Sequence, residues 1–226
     1  MSEWFQPTCN RAGNVLWERV VSGLFDQNCY LVWQDGKNEC LIIDPGFEPE
    51  LVIEAISRLN LNPVAILNTH GHVDHIAGNT RLKEIWPDCP VIIGAKDSDK
   101  LTDPRKNLSH GFGVPLRSVP PDLVLSGEAT LNYGGLWLLA REVPGHSEGH
   151  LVFVCEAAKP IIIFVGDVIF SGSIGRTDFP GGDYQKLILG INTVIFGYPE
   201  DTILLPGHGP PTTVGQERRW NPFVAG

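Results

Sequence analysis

The chain lacks an apolar run long enough to cross a membrane, which takes about 20 consecutive apolar residues. Its start, Met1-Ser2-Glu3-Trp4-Phe5-Gln6-Pro7, also lacks the basic-then-apolar order of a secretory leader. Cations are in deficit: 17 Lys and Arg against 26 Asp and Glu give a formal charge of -9. Phosphate backbones are held by a basic face, so nucleic acid is not an expected partner, and neither is a membrane. Cysteine is sparse and unpatterned. Cys9, Cys29, Cys40, Cys89 and Cys155 are odd in number and form no C-x-x-C pair. That excludes a disulfide frame and a cysteine zinc site, and it fits reduced thiols in a cytoplasmic protein. Histidine is scarce too, at seven residues, so its distribution carries information.

What is present fits one α/β domain over residues 1–226, with 42% hydrophobic and 19% charged residues supplying an ordinary core and surface. Strands are expected at Asn14–Val21, Asn28–Trp33, Glu39–Asp44 and Pro63–Leu67. A helix from Pro49 to about Asn60 presents Leu51, Val52, Ala55, Ile56 and Leu59 on one face. Further strands are expected at Pro90–Gly94, Leu123–Val124, Leu136–Val143, Leu151–Cys155, Ile161–Val165 and Thr202–Leu205. Gly127-Glu128 and Asn132-Tyr133-Gly134-Gly135 read as turns. A second helix should run from Asp183, as its N-cap, to Phe196. The irregular stretch Asp99–Asp122 is long for a connection and reads as a substrate-covering loop. Strand blocks relieved by helices imply two mixed sheets packed face to face with helices outside.

Three of the seven histidines lie in Thr69-His70-Gly71-His72-Val73-Asp74-His75, directly after the Pro63–Leu67 strand and before a helical pattern beginning at Ile76. Open α/β sheets place their chemistry at such strand ends. In an extended segment His70 and His72 leave the same face. Imidazole and carboxylate are the ligands a divalent transition metal takes. Three more loops repeat the logic: Val143-Pro144-Gly145-His146, Val165-Gly166-Asp167 and Leu205-Pro206-Gly207-His208 each end an apolar strand on a metal ligand. One such loop is usually only a turn; four in one chain read as a single convergent site. Gly and Pro beside the ligands fix the backbone path and keep side chains away from a metal.

This set resembles the metallo-β-lactamase superfamily. Within it, Gly166-Asp167-Val168-Ile169-Phe170 followed by Gly175-Arg176-Thr177-Asp178-Phe179 resembles the glyoxalase II-like hydrolases, and the tail Glu217-Arg218 with Asn221-Pro222-Phe223 is similar to their short single-domain bacterial form. The resemblance implies an αββα sandwich with two metals at one sheet edge. His70, His72 and His146 would hold the first, Asp74, His75 and His208 the second, and Asp167 would bridge them. Zinc is the expected metal, and the same ligands accept iron or manganese. Such a pair lowers the pKa of a bridging water, and Asp74 would orient the resulting hydroxide.

The expected substrate is a small-molecule thioester, with hydroxyacyl-glutathione as the sharpest reading. A thiol of pKa about 8.5 leaves without a protein acid, and no acid beyond the ligands is evident. Arg176 stands where glyoxalase II has a substrate-contacting Lys; an ion pair with Asp178 or Asp183 is the competing role. Arg105, Lys106 and Arg117 are the other cations open to glutathione, since the helical domain that grips it in two-domain relatives is not expected in a short single-domain form. His150 is expected to orient or pack below the site, and His110 to be solvated. Trp4, Trp17, Trp33, Trp86, Trp137 and Trp220 read as filler. The rival function is a persulfide dioxygenase of the same fold, with one iron on His70, His146 and Asp167. A secreted β-lactamase is disfavoured by the absent leader and by Asp167, where the commonest such enzymes have Cys. The protein is expected as monomer or homodimer.

Overall fold

The computed structural model describes residues 9–224; Trp4 and the leader reading of residues 1–7 lie outside them. Seven strands form the first sheet in sequence order: β1 Asn10–Ala12, β2 Val15–Ser22, β3 Gln27–Gln34, β4 Glu39–Ile43, β5 Asn62–Leu67, β6 Val91–Gly94 and β7 Leu123–Leu125. The first four pair antiparallel, and β4 through β7 pair parallel. The second sheet contains β8 Ala129–Tyr133, β9 Leu136–Glu142, β10 Leu151–Cys155 and β11 Ile162–Gly166. Beyond a small hairpin, β12 Ile169–Phe170 with β13 Ser173–Ile174, it is completed by β14 Ile203–Pro206 and β15 Thr212–Thr213. Here β11 and β14 pair parallel, their crossover running through the site hairpin and the helical segment.

The central strands of both sheets are buried on both faces, which is why β4, β5, β10 and β11 are near-continuous apolar runs instead of alternating ones. Trp17, Tyr30, Leu41, Ile43 and Leu67 from the first sheet meet Leu138, Phe153, Phe164 and Leu205 from the second in the central core. The opposite face of the first sheet, with Leu31, Ile42, Ile66 and Ile93, is covered by α1 Pro49–Arg58 and α3 Asn79–Ile85 through Val52, Ala55, Ile56 and Leu82. The outer face of the second, with Val152, Ile163 and Leu204, takes α4 Tyr184–Gly190 and α5 Val214–Trp220 through Leu187 and Val214. The layering is the expected αββα sandwich.

Several local expectations are corrected. Asn132 and Tyr133 are paired with Trp137 and Leu136 in β8–β9, and the turn is Gly134-Gly135 alone, both at positive φ as a two-residue hairpin requires. The helical pattern expected from Ile76 instead starts at Val73, within the ligand loop, as α2 Val73–Ile76 and resumes as α3, with Gly78 between them packed against the backbone of Pro45 and Gly46 too tightly for a side chain. The helix begun at Asp183 is α-helical only to Gly190 and continues as a π-turn over Ile191–Ile195. Asp183 does cap it, accepting from Lys186 N at 3.1 Å. The first helix stops at Arg58, and Asn60 turns left-handed at φ 53. β1, β15, α5 and the β12–β13 hairpin gave no usable periodicity because each is short or interrupted by Gly.

Candidate active site

The four loops singled out in the sequence meet at one edge of the sandwich. Main-chain hydrogen bonds tie them across the two sheets. Leu151 N donates to Thr69 O at 2.7 Å, Asn28 N to Gly207 O at 2.7 Å and Gly207 N to Gly166 O at 2.9 Å. Gly166 sits at φ +48, and a Cβ there would meet Thr69 Oγ1 at 2.4 Å. Only glycine lets β11 turn this close under β5, and that turn delivers Asp167.

Two sets of donor atoms converge. His70 Nε2, His72 Nδ1 and His146 Nε2 form a triangle with sides of 3.0, 2.9 and 3.2 Å. Asp74, His75 and His208 form the second set, with Asp74 Oδ2 3.1 Å from His208 Nε2 and 3.6 Å from His75 Nε2. Asp167 spans both: its Oδ1 is 3.4 Å from His75 Nε2, and its Oδ2 is 3.5 Å from His146 Nε2 and 3.6 Å from His208 Nε2. All seven sequence-predicted ligand positions are therefore brought together.

The outer ring nitrogens show what the inner ones are for. Thr69 Oγ1 donates to Asp44 Oδ2 at 2.6 Å, so its 3.1 Å contact with His70 Nδ1 must be accepted from that nitrogen. His75 Nδ1 faces Asp44 Oδ2 at 3.0 Å, His146 Nδ1 donates to Arg176 O at 2.8 Å and His208 Nδ1 to Phe25 O at 3.1 Å. A neutral imidazole has one N–H, so the inner nitrogens of His70 and His146 are lone pairs, and those of His75 and His208 become lone pairs once a cation displaces the proton that the nearby carboxylates favour. Two of them, on His70 and His146, face each other at 3.2 Å, and His75 Nε2 and Asp167 Oδ1 are buried with no hydrogen-bond partner. Converging imidazole nitrogens and carboxylate oxygens fit cations, and outer N–H groups held by carbonyls and carboxylates are the usual support of metal-bound histidine.

Electrostatics divide the two sets. Burial, then the neighbouring imidazoles, push His70 well below its ordinary pKa; burial and His146 push His72 to about 3. Burial also works against the charged forms of His75 and Asp167, but proximity wins. The Asp74, Asp167 and Asp44 carboxylates raise His75, and His75, His146 and His208 hold Asp167 well below the carboxylate range. Asp167 is thus an anion where the donor sets meet.

Several residues that matter here were not legible in the sequence. Asp44, at the end of β4 with φ 51, accepts from Thr69 N at 2.6 Å and supports both His70 and His75. Asp97 is fully buried and accepts from Gly71 N at 2.9 Å and Gly149 N at 2.8 Å. It also pairs with Lys100 Nζ at 2.9 Å and accepts from Ser147 Oγ at 2.5 Å. This clamp joins the His70–His72 loop to the His146 loop. A polar Asp after an apolar strand was the available signal for Asp44; Asp97 and Lys100 had none, because charged residues in a loop read as solvated. His150 supports the site as expected: its Nε2 accepts from Asp167 N at 3.1 Å, and its ring stacks on His70 with centroids 4.8 Å apart.

A cavity of about 450 Å³ opens over Asp74, His146, Asp167 and His208. The 99–122 stretch supplies Asn107, Leu108 and Phe112 to its wall, whereas its cations turn away. Arg105, Arg117 and the exposed His110 line a different pocket, and Lys106 pairs with Asp99. Arg176 lines the cavity while its guanidinium binds Asp178 through two 2.7 Å hydrogen bonds. Asp183 is not its partner; Lys186 is beside that carboxylate at 3.2 Å. Of the tryptophans expected as filler, Trp17 and Trp33 are core, and Trp137 and Trp220 are exposed. Among the described residues no helix is long and apolar enough to cross a membrane.

Comparison with known proteins agrees with this geometry. The chain is 41% identical over 208 residues to "Hydroxyacylglutathione hydrolase GloC" of Haemophilus influenzae, covering 88% of this chain and 93% of that one. It is 36% identical over 211 residues to "Probable metallo-hydrolase YqgX" of Bacillus subtilis, covering 93% and 98%. Among solved structures it is similar to the BLEG-1 B3 metallo-beta-lactamase, with TM-score 0.88, 36% identity and coverage of 93% of this chain and all of that one. It is also similar to TTHA1623 in a di-iron-bound form, with TM-score 0.79, 34% identity and coverage of 92% and 100%. Residues 22–208 match the family model of the metallo-beta-lactamase superfamily, and with its His/Asp cluster able to hold metal the chain belongs to that superfamily as a metal-dependent hydrolase.

Proposed function

We propose that the protein hydrolyses the thioester of a small molecule, with hydroxyacyl-glutathione as the substrate and Zn, Fe or Mn as the metal. The observation that carries this reading is the double set of inward-facing donor atoms with the Asp167 carboxylate shared between them. In this reading His70, His72 and His146 would hold one ion and Asp74, His75 and His208 the other, with Asp167 available to both. When bound, such a pair supplies hydroxide near neutral pH and polarises the substrate carbonyl.

The chain's own groups do the rest. Asp74 faces the cavity, and its carboxylate orients the attacking oxygen. The Asp44, Phe25 and Arg176 acceptors fix the ring planes, so that little reorganisation is needed during reaction. Apart from the His/Asp set, the cavity wall offers Asn107 and the Asp178-bound Arg176 as polar side chains, and neither is an acid able to protonate an amine at neutral pH. A thiolate leaves unaided, so the thioester fits this wall better than an amide or lactam. The 41% identity to the Haemophilus hydroxyacylglutathione hydrolase supports the same substrate. The acidic surface supports a small-molecule partner over nucleic acid.

The experiment is metal analysis of purified protein alongside lactoylglutathione hydrolysis, with His72→Ala and Asp167→Ala as controls. Two ions per chain and thioester cleavage lost in both variants are expected. Cleavage that persists in metal-analysed variants would overturn the mechanism. A single iron with oxygen uptake on glutathione persulfide would establish the dioxygenase instead, and β-lactam turnover exceeding thioester turnover would replace the substrate.

A further inference from the structure

The walls of the cavity differ from its floor. Above the His/Asp set stand Phe25, Leu108, Phe112, Phe170, Ile174 and Phe179. Two of these rings lie directly on the donor sets: Phe179 is edge-on to His72 with centroids 5.6 Å apart, and Phe170 to His208 at 6.0 Å. Phe25 is stacked on Phe47 at 5.4 Å, and Phe112 from the long loop meets it edge to face at 5.7 Å. The cation on this wall, Arg176, is committed to Asp178 and laid over the Phe179 ring at 3.9 Å. Its charge is offset by a carboxylate, and its stem and ring partner extend the apolar surface.

We propose that this aromatic collar selects the acyl half of the substrate, favouring thioesters whose acyl group carries an aromatic or bulky apolar substituent, with Phe112 as a specificity-determining residue. The inference rests on the thioester reading and adds the substrate class. The acyl substituent and the thiol sulfur are both bonded to the carbon that must sit on the His/Asp floor, so the two halves compete for the ring of phenylalanines, and an apolar acyl substituent matches it. A glutathione-like thiol, by contrast, carries carboxylates and an ammonium, and the collar offers these no uncommitted cation among the described residues. That half therefore extends out of the cavity mouth. In the reaction, water oxygen bonds to the acyl carbon as the C–S bond breaks, giving the carboxylic acid and the thiol with no redox change. Small acyl groups leave the collar hydrated, whereas a phenyl group replaces that water with ring contacts.

The test uses two non-hydrolysable thioether analogues that differ only in the acyl substituent: S-phenacylglutathione and S-acetonylglutathione. Binding is measured by calorimetry on the wild-type, Phe112→Ala and Phe112→Leu proteins. Phe112 is 55% exposed, so its truncation probes the collar and not the fold, and the leucine variant retains apolar bulk. The wild type is expected to bind the phenacyl analogue about tenfold more tightly, the size of effect one apolar increment in a pocket gives. Phe112→Ala should reduce that ratio to below about threefold, and Phe112→Leu should keep most of it. Equal affinities in the wild type, or a preference unchanged by Phe112→Ala, overturn the proposal. Turnover of mandeloylglutathione against lactoylglutathione by metal-loaded protein is measured in parallel. If neither is cleaved, the thioester reading falls, while the analogue ratio still decides what the collar accepts.

Discussion

Asp97→Ala should be the most damaging single change outside the ligand set. Asp97 is fully buried and holds four groups at once: Gly71 N, Gly149 N, Ser147 Oγ and the ammonium of Lys100, whose side chain is only 7% exposed. Removing the carboxylate orphans two main-chain donors at about 1–3 kcal/mol each and leaves a buried ammonium without its counter-ion. Breaking a buried pair from one side costs about 3–5 kcal/mol, against a typical total stability of about 5–15 kcal/mol. Lys100→Met should cost less, because Asp97 keeps three neutral donors. Adding Lys100→Met to Asp97→Ala should recover part of the loss, since the stranded charge is gone.

Despite burial, Lys100 and the Ser147 and Gly71 donors hold the Asp97 pKa below its usual value. A depressed carboxyl contributes its full stability above the unfolded pKa of about 3.9 and loses it as pH falls through the folded value. The gap between wild type and Asp97→Ala should therefore narrow in acid. Urea unfolding in chelator, followed by tryptophan fluorescence at pH 7 and again in acid, measures each quantity. A loss under about 0.5 kcal/mol, the range of an ordinary surface change, would refute the reasoning. So would a double variant no more stable than Asp97→Ala.

Gly207→Ala should reduce metal content towards one ion per chain while the fold persists, because the new Cβ would meet Asp167 Oδ1 at 2.3 Å and His75 Cε1 at 2.6 Å; metal analysis and circular dichroism check it. His150→Ala should cost about 1–3 kcal/mol, since it orphans the Asp167 N–H at 3.1 Å; denaturant unfolding checks it, and rescue by Gln is expected from the retained acceptor. Chelation should lower Tm and readdition restore it, because a ligand at 100 times its Kd stabilises by about 2.7 kcal/mol; thermal melts with and without metal read this directly.

The ligand set was legible because it is local chemistry repeated four times, each copy ending an apolar strand. The layers were legible because apolar runs such as Ile162–Gly166 in β11 need cover on both faces. Turn placement failed where one residue decides the outcome, as at Asn132-Tyr133, which cross-strand pairing with Leu136 and Trp137 draws into the sheet. The change from α-helix to π-turn at Gly190 had no signal in the sequence, and the close packing there, where a Cβ would meet Val143 Cγ1 at 2.6 Å, is a long-range contact.

The amino-acid order by itself determined which atoms can bind metal and roughly where the strands lie, because donor chemistry and hydrophobic periodicity are properties of short segments. Tertiary structure alone decided how His70 and His146, 76 residues apart, come to share a 3.2 Å contact. It also decided that Asp97 and Lys100 form a buried clamp instead of a solvated pair, and that the cavity over the ligands is walled by phenylalanine while Arg105 and Arg117 face elsewhere. Burial and long-range proximity set these outcomes, and neither is encoded in any one stretch of the chain.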